Sequence, residues 1–307
     1  MIQEQVAPGD AARGGALRVL MAESYGMCFG VRDAVSLALG AARGGELTVL
    51  GELAHNPAVL ERLAAAGVER APSLEPPAGA RRVMITAHGA SHAAKERLRS
   101  GGLELLDATC PLVAHAHRML LRLVAAGYFP VVIGRADHVE VRGLVGDLGE
   151  HAVVASEEEV DALPESLAFA RLGVVSQTTQ PLERVLALVD RLRARFPHAE
   201  VKFVDTVCAP TKERQAAARR LGASCPVVIV VGGRGSNNTR QLLRACEAEG
   251  ARAYQVEGPE ELRAEWVTGV EQVGLTAGTS TPDEVVEAVR QALVRLGERP
   301  LSLAAYP

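Results

Sequence analysis

Short runs rich in Val, Ile and Leu alternate with longer Ala-, Leu- and Arg-rich stretches along the chain. Short apolar runs bounded by Gly or polar residues are typical of strands buried on both faces of a parallel sheet. This pattern predicts strands at Leu17–Met21, Leu47–Leu50, Val83–Thr86, Val131–Ile133, Gly173–Val175, Val227–Val231 and Gly274–Leu275. The intervening stretches, such as Pro111–Ala126 and Pro210–Leu221, have a helical pattern. The alternation therefore indicates βαβ units and an α/β fold with parallel sheets.

A threefold repeat is superimposed on this alternation. Three cysteines, which we call the loop cysteines, each follow a predicted strand and precede a predicted helix: Cys28, Cys110 and Cys208. The predicted strand residues are Leu105-Leu106 before Cys110 and Phe203-Val204 before Cys208. A Gly ends the next strand 23, 24 and 24 residues later, respectively. The third strand of each segment then ends in a polar loop, with His88, Thr178 and Ser280 lying 60, 68 and 72 residues after the preceding cysteine. We predict three similar small α/β modules, residues 17–108, 109–206 and 207–307, after an N-terminal extension of residues 1–16.

Composition excludes several classes of protein. The chain has 33 Lys and Arg against 37 Asp and Glu, a formal charge of −4, and only 3% aromatic residues, so we expect no nucleic-acid partner. It has no uninterrupted apolar run of about 18 residues and no recognisable signal peptide, so we expect no membrane association and a cytoplasmic location. Five widely spaced cysteines are no disulfide framework, and in a reducing compartment they suggest a metal or redox role.

The loop cysteines are placed to share one ligand. In open parallel α/β sheets, ligands bind outside the carboxyl ends of the strands, and each module brings its cysteine to that edge. Three cysteines can hold three irons of a cubane cluster, and the fourth iron would then be open to a substrate as a Lewis acid and redox site. Burial as small apolar residues is the alternative, against which the equivalent repeat positions argue. Cys225 and Cys246 have no counterpart in the repeat and are expected to pack in the core.

The polar loops are suited to a phosphate or diphosphate. Imidazoles, hydroxyls, amides and exposed backbone N–H groups are the donors that such a ligand needs. The candidate residues are His55, His88 and His138 in the first two modules and Ser236, Asn237, Asn238 and Ser280 in the third. Those at 236–239 come just before a predicted helix, where unpaired N–H groups favour an anion. Plain helix capping is the alternative there.

Glu140 is the carboxylate placed with this set, two residues after His138. In extended backbone, positions two apart point to the same side, so both side chains could reach the predicted cavity. A desolvated Glu would have a raised pKa and could deliver protons. An ordinary surface carboxylate is the alternative.

The other histidines are not assigned to a site. His115 and His117 lie two apart on a predicted helix, so they cannot face the same way and are not expected to form a metal site. His92, His151 and His198 are expected at the surface.

Eight motifs, taken together and in order, give a highly specific signature over roughly residues 17–295. They are Met27-Cys28-Phe29-Gly30-Val31, Leu53-Ala54-His55-Asn56-Pro57, Ala87-His88-Gly89-Ala90-Ser91, Asp107-Ala108-Thr109-Cys110-Pro111-Leu112-Val113, His138-Val139-Glu140-Val141, Ser176-Gln177-Thr178-Thr179, Gly235-Ser236-Asn237-Asn238-Thr239 and Thr276-Ala277-Gly278-Thr279-Ser280-Thr281-Pro282-Asp283. In these motifs the chain resembles the 4-hydroxy-3-methylbut-2-enyl diphosphate reductases of the non-mevalonate isoprenoid pathway. The resemblance implies three α/β modules in a trefoil-like arrangement around one [4Fe–4S] cluster per chain, held by the loop cysteines, with one iron open to substrate.

The resemblance also implies roles for single residues. Glu140 would relay protons, Thr178 would orient the substrate hydroxyl and that carboxylate, and His138 would serve both catalysis and binding. The diphosphate would be held by His55, His88, His138, Ser236, Asn237, Asn238 and Ser280. The implied reaction is a two-electron reductive loss of the allylic hydroxyl, which gives isopentenyl and dimethylallyl diphosphates. Ferredoxin or flavodoxin would supply the electrons.

The chain departs from the family pattern at several positions. Asn237 stands where a second Ser is usual, Phe29 replaces a small residue, Val139 and Arg142 stand where Pro and Glu are common, and Arg32-Asp33 is in reversed order. A divergent paralogue that uses the same cluster as a lyase, hydratase or reductase on another ligand is therefore the alternative function. A non-catalytic zinc or sensor protein is a third, although the close Cys pairs typical of structural zinc are missing.

Overall fold

The computed structural model describes residues 17–54, 56–169 and 171–298, which contain twelve β-strands and eleven α-helices. The strands are β1 (Arg18–Met21), β2 (Leu47–Leu50), β3 (Val68–Ala71), β4 (Arg82–Ile85), β5 (Glu104–Asp107), β6 (Phe129–Ile133), β7 (Ala152–Val154), β8 (Arg171–Ser176), β9 (Glu200–Phe203), β10 (Val227–Val231), β11 (Arg252–Val256) and β12 (Gln272–Ala277). The helices are α1 (Phe29–Ala42), α2 (Pro57–Ala65), α3 (His92–Ser100), α4 (Pro111–Ala125), α5 (Val139–Val145), α6 (Glu157–Asp161), α7 (Leu182–Arg195), α8 (Ala209–Ser224), α9 (Asn237–Ala248), α10 (Ala264–Val267) and α11 (Asp283–Glu298).

The strands form three four-stranded sheets in which every pairing is parallel. Their orders are β11-β10-β12-β1, β3-β2-β4-β5 and β7-β6-β8-β9. In each sheet, the strand that precedes a loop cysteine lies at one edge. The predicted α/β fold with three similar parallel-sheet modules is therefore confirmed.

The first strand joins a different sheet from the one that the counted segments suggest. β1 belongs to the segment 17–108, yet it pairs with β12, with Arg18 opposite Gln272. In the same way β5 pairs with the preceding β4, and β9 with the preceding β8. Counting residues from each cysteine cannot tell whether its strand pairs with the strands that follow or with those that precede. The module boundaries near residues 108 and 206 stay a prediction.

The apolar pattern predicted the inner strands and missed one edge strand in each sheet, namely β3, β7 and β11. These strands are short or carry polar residues, such as Glu69 and Arg70, which are both exposed. An edge strand is covered on fewer sides than an inner strand, so it does not need a continuous apolar run.

The run of five apolar residues in β10 shows why the inner strands are legible in the sequence. Val227, Ile229 and Val231 pack in one buried cluster with residues of α11, whereas Val228 and Val230 pack in another with residues of α8 and α9. All five are fully buried. Because helices cover both faces of the sheet, both alternating sets of side chains must be apolar.

The chain divides into two compact units, and each is described by itself below. The first unit comprises residues 17–28, 56–59 and 213–298 and contains the sheet β11-β10-β12-β1. The second unit comprises residues 29–54, 60–169 and 171–212 and contains the other two sheets. Within these ranges, none of the helices has both the length and the apolarity needed to cross a membrane.

Candidate active site

Each loop cysteine is held by the same backbone hydrogen bond. Its N–H donates to a carbonyl in the polar loop that follows the neighbouring strand of its sheet. The bonds run from Cys28 to Thr279 at 3.0 Å, from Cys110 to Ala87 at 3.0 Å and from Cys208 to Thr178 at 2.9 Å. A helix begins at the next residue in all three cases, at Phe29, Pro111 and Ala209. The three thiols therefore have equivalent local frames at helix N-termini.

The five cysteines fall into two groups by burial. The loop cysteines are partly exposed, whereas Cys225 and Cys246 are 2% and 0% exposed. Burial raises the pKa of both buried thiols, and that of Cys246 rises to about 12. The prediction that Cys225 and Cys246 are packing residues is confirmed, and the accessible thiols are those of the loop cysteines.

The start of α1 approaches Cys110 closely in the second unit. A Cβ atom added at Gly30 would lie 2.6 Å from Sγ of Cys110, far inside van der Waals contact. Only glycine, which has no Cβ atom, leaves room at position 30 for the Cys110 thiol. Gly30 in the first motif is therefore a packing requirement of the second loop cysteine.

Glu140 is buried in the second unit, with 1% of its surface exposed. The backbone N–H of Thr178 donates to its Oε1 at 2.6 Å, and the Thr178 hydroxyl donates to its Oε2 at 3.1 Å. Desolvation raises the pKa of Glu140 to about 7, although the two bonds from Thr178 act in the opposite direction. The predicted raised pKa is confirmed, and the surface alternative is wrong.

His138 contacts Glu140 by a different geometry from the one expected. Only His138 has extended backbone, since Glu140 lies in the first turn of α5: His138 is the N-cap of this helix, and its Nδ1 accepts the backbone N–H of Glu140 at 3.1 Å. A neutral ring whose Nδ1 accepts carries its proton on Nε2, so this nitrogen can donate to a ligand. The rings of His138 and His88 lie edge to face with centroids 5.6 Å apart. His88, His138, Glu140 and Thr178 thus form one cluster in the second unit.

Thr178 connects Glu140 to a loop cysteine. Its N–H and hydroxyl both hold the Glu140 carboxyl group, and its carbonyl accepts the N–H of Cys208. The carboxyl group and the thiol loop are therefore positioned by a single residue.

The first unit contains buried amide donors around the start of α9. Oδ1 of Asn238 accepts the N–H of Thr279 at 3.0 Å, and the Ser236 hydroxyl accepts the N–H of Thr239 at 3.2 Å. Helix capping therefore accounts for the Ser236 oxygen, and the bond from the Thr279 loop accounts for the Asn238 oxygen. Neither accounts for the Nδ2 atoms of Asn237 and Asn238, which are buried without a hydrogen-bond partner. Unsatisfied buried donors are costly, so this set fits a ligand that brings acceptor oxygens.

Ser280 and His55 were also predicted to bind the diphosphate. Ser280 is buried in the first unit, with 6% of its surface exposed. His55 lies outside the described residues. Its neighbour Asn56, from the same motif, has Oδ1 bonded to the N–H of Val59 and a buried Nδ2 without a partner.

Arg214 was not predicted from the sequence, yet it is buried in the first unit. Its Nε donates to the carbonyl of Gly26 at 3.0 Å and its Nη2 to that of Tyr25 at 3.4 Å. These carbonyls lie just before Cys28, so Arg214 positions the first loop cysteine. A single Arg in a helical stretch gives no sequence signal, because most such residues are exposed.

Comparison with known proteins adds independent findings. The family model described as LytB protein matches residues 19–294. The chain is 36% identical to a curated protein of Aquifex aeolicus (strain VF5) over 91% of this chain and 97% of that one, and 39% identical to one of Geobacter sulfurreducens over 90% and 98%. Both are named 4-hydroxy-3-methylbut-2-enyl diphosphate reductase.

Two solved structures are also similar. One is the E-1-hydroxy-2-methyl-but-2-enyl-4-diphosphate reductase from Plasmodium falciparum, at 25% identity and a TM-score of 0.85, covering 94% of this chain and 90% of that one. The other is (E)-4-hydroxy-3-methyl-but-2-enyl diphosphate reductase, described as the terminal enzyme of the non-mevalonate pathway. It is 35% identical, with a TM-score of 0.68, covering 90% and 99%.

Proposed function

We propose a function from one premise: the chain belongs to the LytB protein family. Its curated relatives are named as reductases of 4-hydroxy-3-methylbut-2-enyl diphosphate, and the chain spans nearly their whole length. We infer that it catalyses the same reaction. Two electrons and two protons enter, the allylic C–O bond breaks, water leaves, and isopentenyl and dimethylallyl diphosphates form.

The observation that carries this proposal is the group formed by Glu140, Thr178 and Cys208. A buried carboxyl group with a raised pKa is suited to deliver protons in a site closed to water. The residue that orients it also holds a partly exposed thiol at a helix N-terminus. Proton delivery and cofactor binding are thereby coupled in one structural element.

The loop cysteines fit an iron–sulfur cofactor. Their equivalent frames, partial exposure and helix N-terminal positions are what thiolate ligands need, and the other two cysteines are buried. A [4Fe–4S] cluster held by these three residues would supply the electrons at an iron open to the substrate hydroxyl. We propose ferredoxin or flavodoxin as the electron donor and a cytoplasmic location, where thiols stay reduced.

The diphosphate would be bound by donors of the predicted set, among them His88 and the Nε2–H of His138. In the first unit the buried Nδ2 atoms of Asn237 and Asn238 would each gain an acceptor, which removes the cost of leaving them unpaired. The predicted roles of His55, Ser236 and Ser280 as further donors belong to the same proposal.

Glu140 would deliver the proton that converts the leaving hydroxyl to water. With a pKa of about 7, it is protonated often enough at neutral pH to act as an acid. Thr178 would keep the carboxyl group oriented, and its N–H and O–H would stabilise the carboxylate left after transfer.

The test is turnover of the hydroxylated diphosphate by anaerobically purified protein with reduced methyl viologen. We expect isopentenyl and dimethylallyl diphosphates, and no turnover of the corresponding alcohol that lacks the diphosphate. A protein that carries its full complement of iron and sulfide yet forms neither product would contradict the proposal. Since Asn237 presents an amide where the family usually has a hydroxyl, the panel includes other diphosphates and non-phosphorylated alkenes. Faster turnover of one of these would favour the divergent paralogue.

A further inference from the structure

A second group of potential metal ligands lies in the second unit, outside the residues assigned above. It comprises His92 at the start of α3, His117 on α4 and Asp147 after α5, and one ligand atom from each lies within 4.8 Å of the other two. Two imidazoles and a carboxylate form a donor set that Zn²⁺ and similar ions accept. Sequence analysis compared His117 only with His115 and placed His92 at the surface. The neighbours of His117 instead come from the start of α3 and from the segment after α5.

The contact between His117 and Asp147 has the spacing of two ligands on one ion. Nε2 of His117 lies 3.3 Å from Oδ2 of Asp147, yet this nitrogen is buried and makes no hydrogen bond. Two ligand atoms about 2.1 Å from a tetrahedral ion are about 3.4 Å apart. Both side chains are sheltered, with 12% and 14% of their surface exposed. The two atoms are therefore close together, although no hydrogen bond joins them.

The carboxylate is held in place before any ion binds. Its two oxygens accept the backbone N–H groups of His92 at 2.6 Å and Ala93 at 2.8 Å. The rings of His92 and His117 lie 4.9 Å apart between centroids. A rigid ligand set loses little entropy on binding, and the neighbouring cation Lys95 is engaged by Asp107 at 2.8 Å.

There is also room for an ion with additional ligands. A cavity of about 180 Å³ is lined by His92 and His117 but not by Asp147, and it also borders Lys95, Arg118 and, from the site described above, His88 and Glu140. An ion held by three protein ligands would complete its coordination from this space.

We propose that His92, His117 and Asp147 bind a divalent transition-metal ion of the zinc class. A bound ion would join α3, α4 and the segment after α5 within the second unit. It would therefore raise the thermal stability of that unit. The site does not depend on the function proposed above.

The test is a zinc titration of the anaerobically purified, cluster-loaded protein, followed by zinc K-edge X-ray absorption. We expect about one equivalent, a shell of nitrogen and oxygen at about 2.0–2.2 Å, and a higher melting temperature with zinc. His117→Ala and His92→Ala should each weaken zinc binding at least about tenfold. His115→Ala is the matched control, because His115 lies on the same helix and is exposed. It should bind zinc like the wild type.

Three results would overturn the proposal. A sulfur shell at about 2.3 Å would place the zinc on cysteines. Unchanged affinity in His92→Ala and His117→Ala would place it elsewhere. Absence of saturable binding would leave His117 and Asp147 as a simple electrostatic pair. Should His117→Ala fail to fold, His92→Ala decides alone, since the exposed His92 side chain can be removed without losing its backbone bond to Asp147.

Discussion

Replacing Glu140 by Gln removes an acid while preserving the shape of its pocket. Glu140 is 1% exposed, and both of its oxygens are bonded by Thr178. A Gln can keep both contacts: its Oε1 can accept the Thr178 N–H, and its Nε2 can donate to the Thr178 hydroxyl. The substitution therefore tests proton chemistry rather than packing.

The effect on turnover follows from the pKa. A group with a pKa of about 7 is about half protonated at pH 7, whereas at the ordinary value of 4.5 only about one molecule in 300 would be. General acids typically contribute about 10²–10⁴-fold to rate, and Gln cannot replace that proton. We expect Glu140→Gln to keep its iron and bind the diphosphate, yet lose turnover by a factor in this range. Wild-type turnover should fall as the pH rises through about 7.

The same group makes stability depend on pH in an unusual direction. Burial raises the pKa of Glu140 from 4.5 to about 7, so between these values the folded state binds more protons than the unfolded state. Stability therefore falls as the pH rises through this window and levels off above about 7. At about 1.4 kcal/mol per pKa unit, the loss is on the order of 3 kcal/mol. A Gln side chain stays neutral, so the Glu140→Gln variant does not lose this stability.

Two measurements check this reasoning on samples of equal iron content. Steady-state kinetics with the hydroxylated diphosphate should show the loss of turnover. Thermal unfolding at pH 5 and pH 8 should show that Glu140→Gln gains stability relative to the wild type as the pH rises. Glu150→Gln, at an exposed carboxylate, is the control for a general loss of negative charge. Near wild-type turnover, or a stability difference that is the same at both pH values, would refute the role assigned to Glu140.

Three further tests, each with its own control substitution, probe the thiol sites. Ser in place of any one loop cysteine should abolish or greatly reduce bound iron, whereas Cys225→Ala should retain it. Iron retained equally in all of these variants would refute the ligand assignment. Gly30→Ala should lower the iron content without removing a sulfur, because its Cβ would collide with the nearby thiol. Gly40→Ala on the same helix should not lower the iron content, because a Cβ there meets nothing within 4 Å. Equal iron in the two variants would contradict the prediction, because it would show that the protein relieves the collision at residue 30. Arg214→Met removes two charge-assisted hydrogen bonds, so it should cost about 2–4 kcal/mol in thermal unfolding and loosen iron binding. Arg219→Met, at a half-buried Arg of the same helix that pairs with Glu249, is its control, and matching melting temperatures would contradict the positioning role.

The sequence predicted those parts of the fold that depend on local pattern. Inner strands such as β10 need apolar residues on both faces, so they appear in the sequence as uninterrupted apolar runs. The loop cysteines stand out because each module repeats the same path from strand to cysteine to helix. Edge strands such as β11 were missed, because their partial exposure permits polar residues.

The candidate site was only partly accessible from the sequence. Glu140 was singled out by its proximity to His138, but the reason offered, an extended backbone, was wrong. The structure shows a helix cap in its place. Arg214 was missed, and His117 was compared only with His115 on its own helix. Nothing local distinguishes an Arg or a His that a distant segment will bury.

The sequence by itself thus determined which strands form the interiors of the sheets, which cysteines are equivalent and which loops carry polar donors. Each of these features follows from the spacing of neighbouring residues. Only the tertiary structure decided that β1 completes the sheet of β12, and that Thr178 bonds a carboxyl group 38 residues earlier in the chain. The pKa of Glu140 was decided at the same level, because desolvation depends on what surrounds a group in space. The residues that surround Glu140 come from segments distant in the sequence, and the order of these segments along the chain does not show that they are in contact.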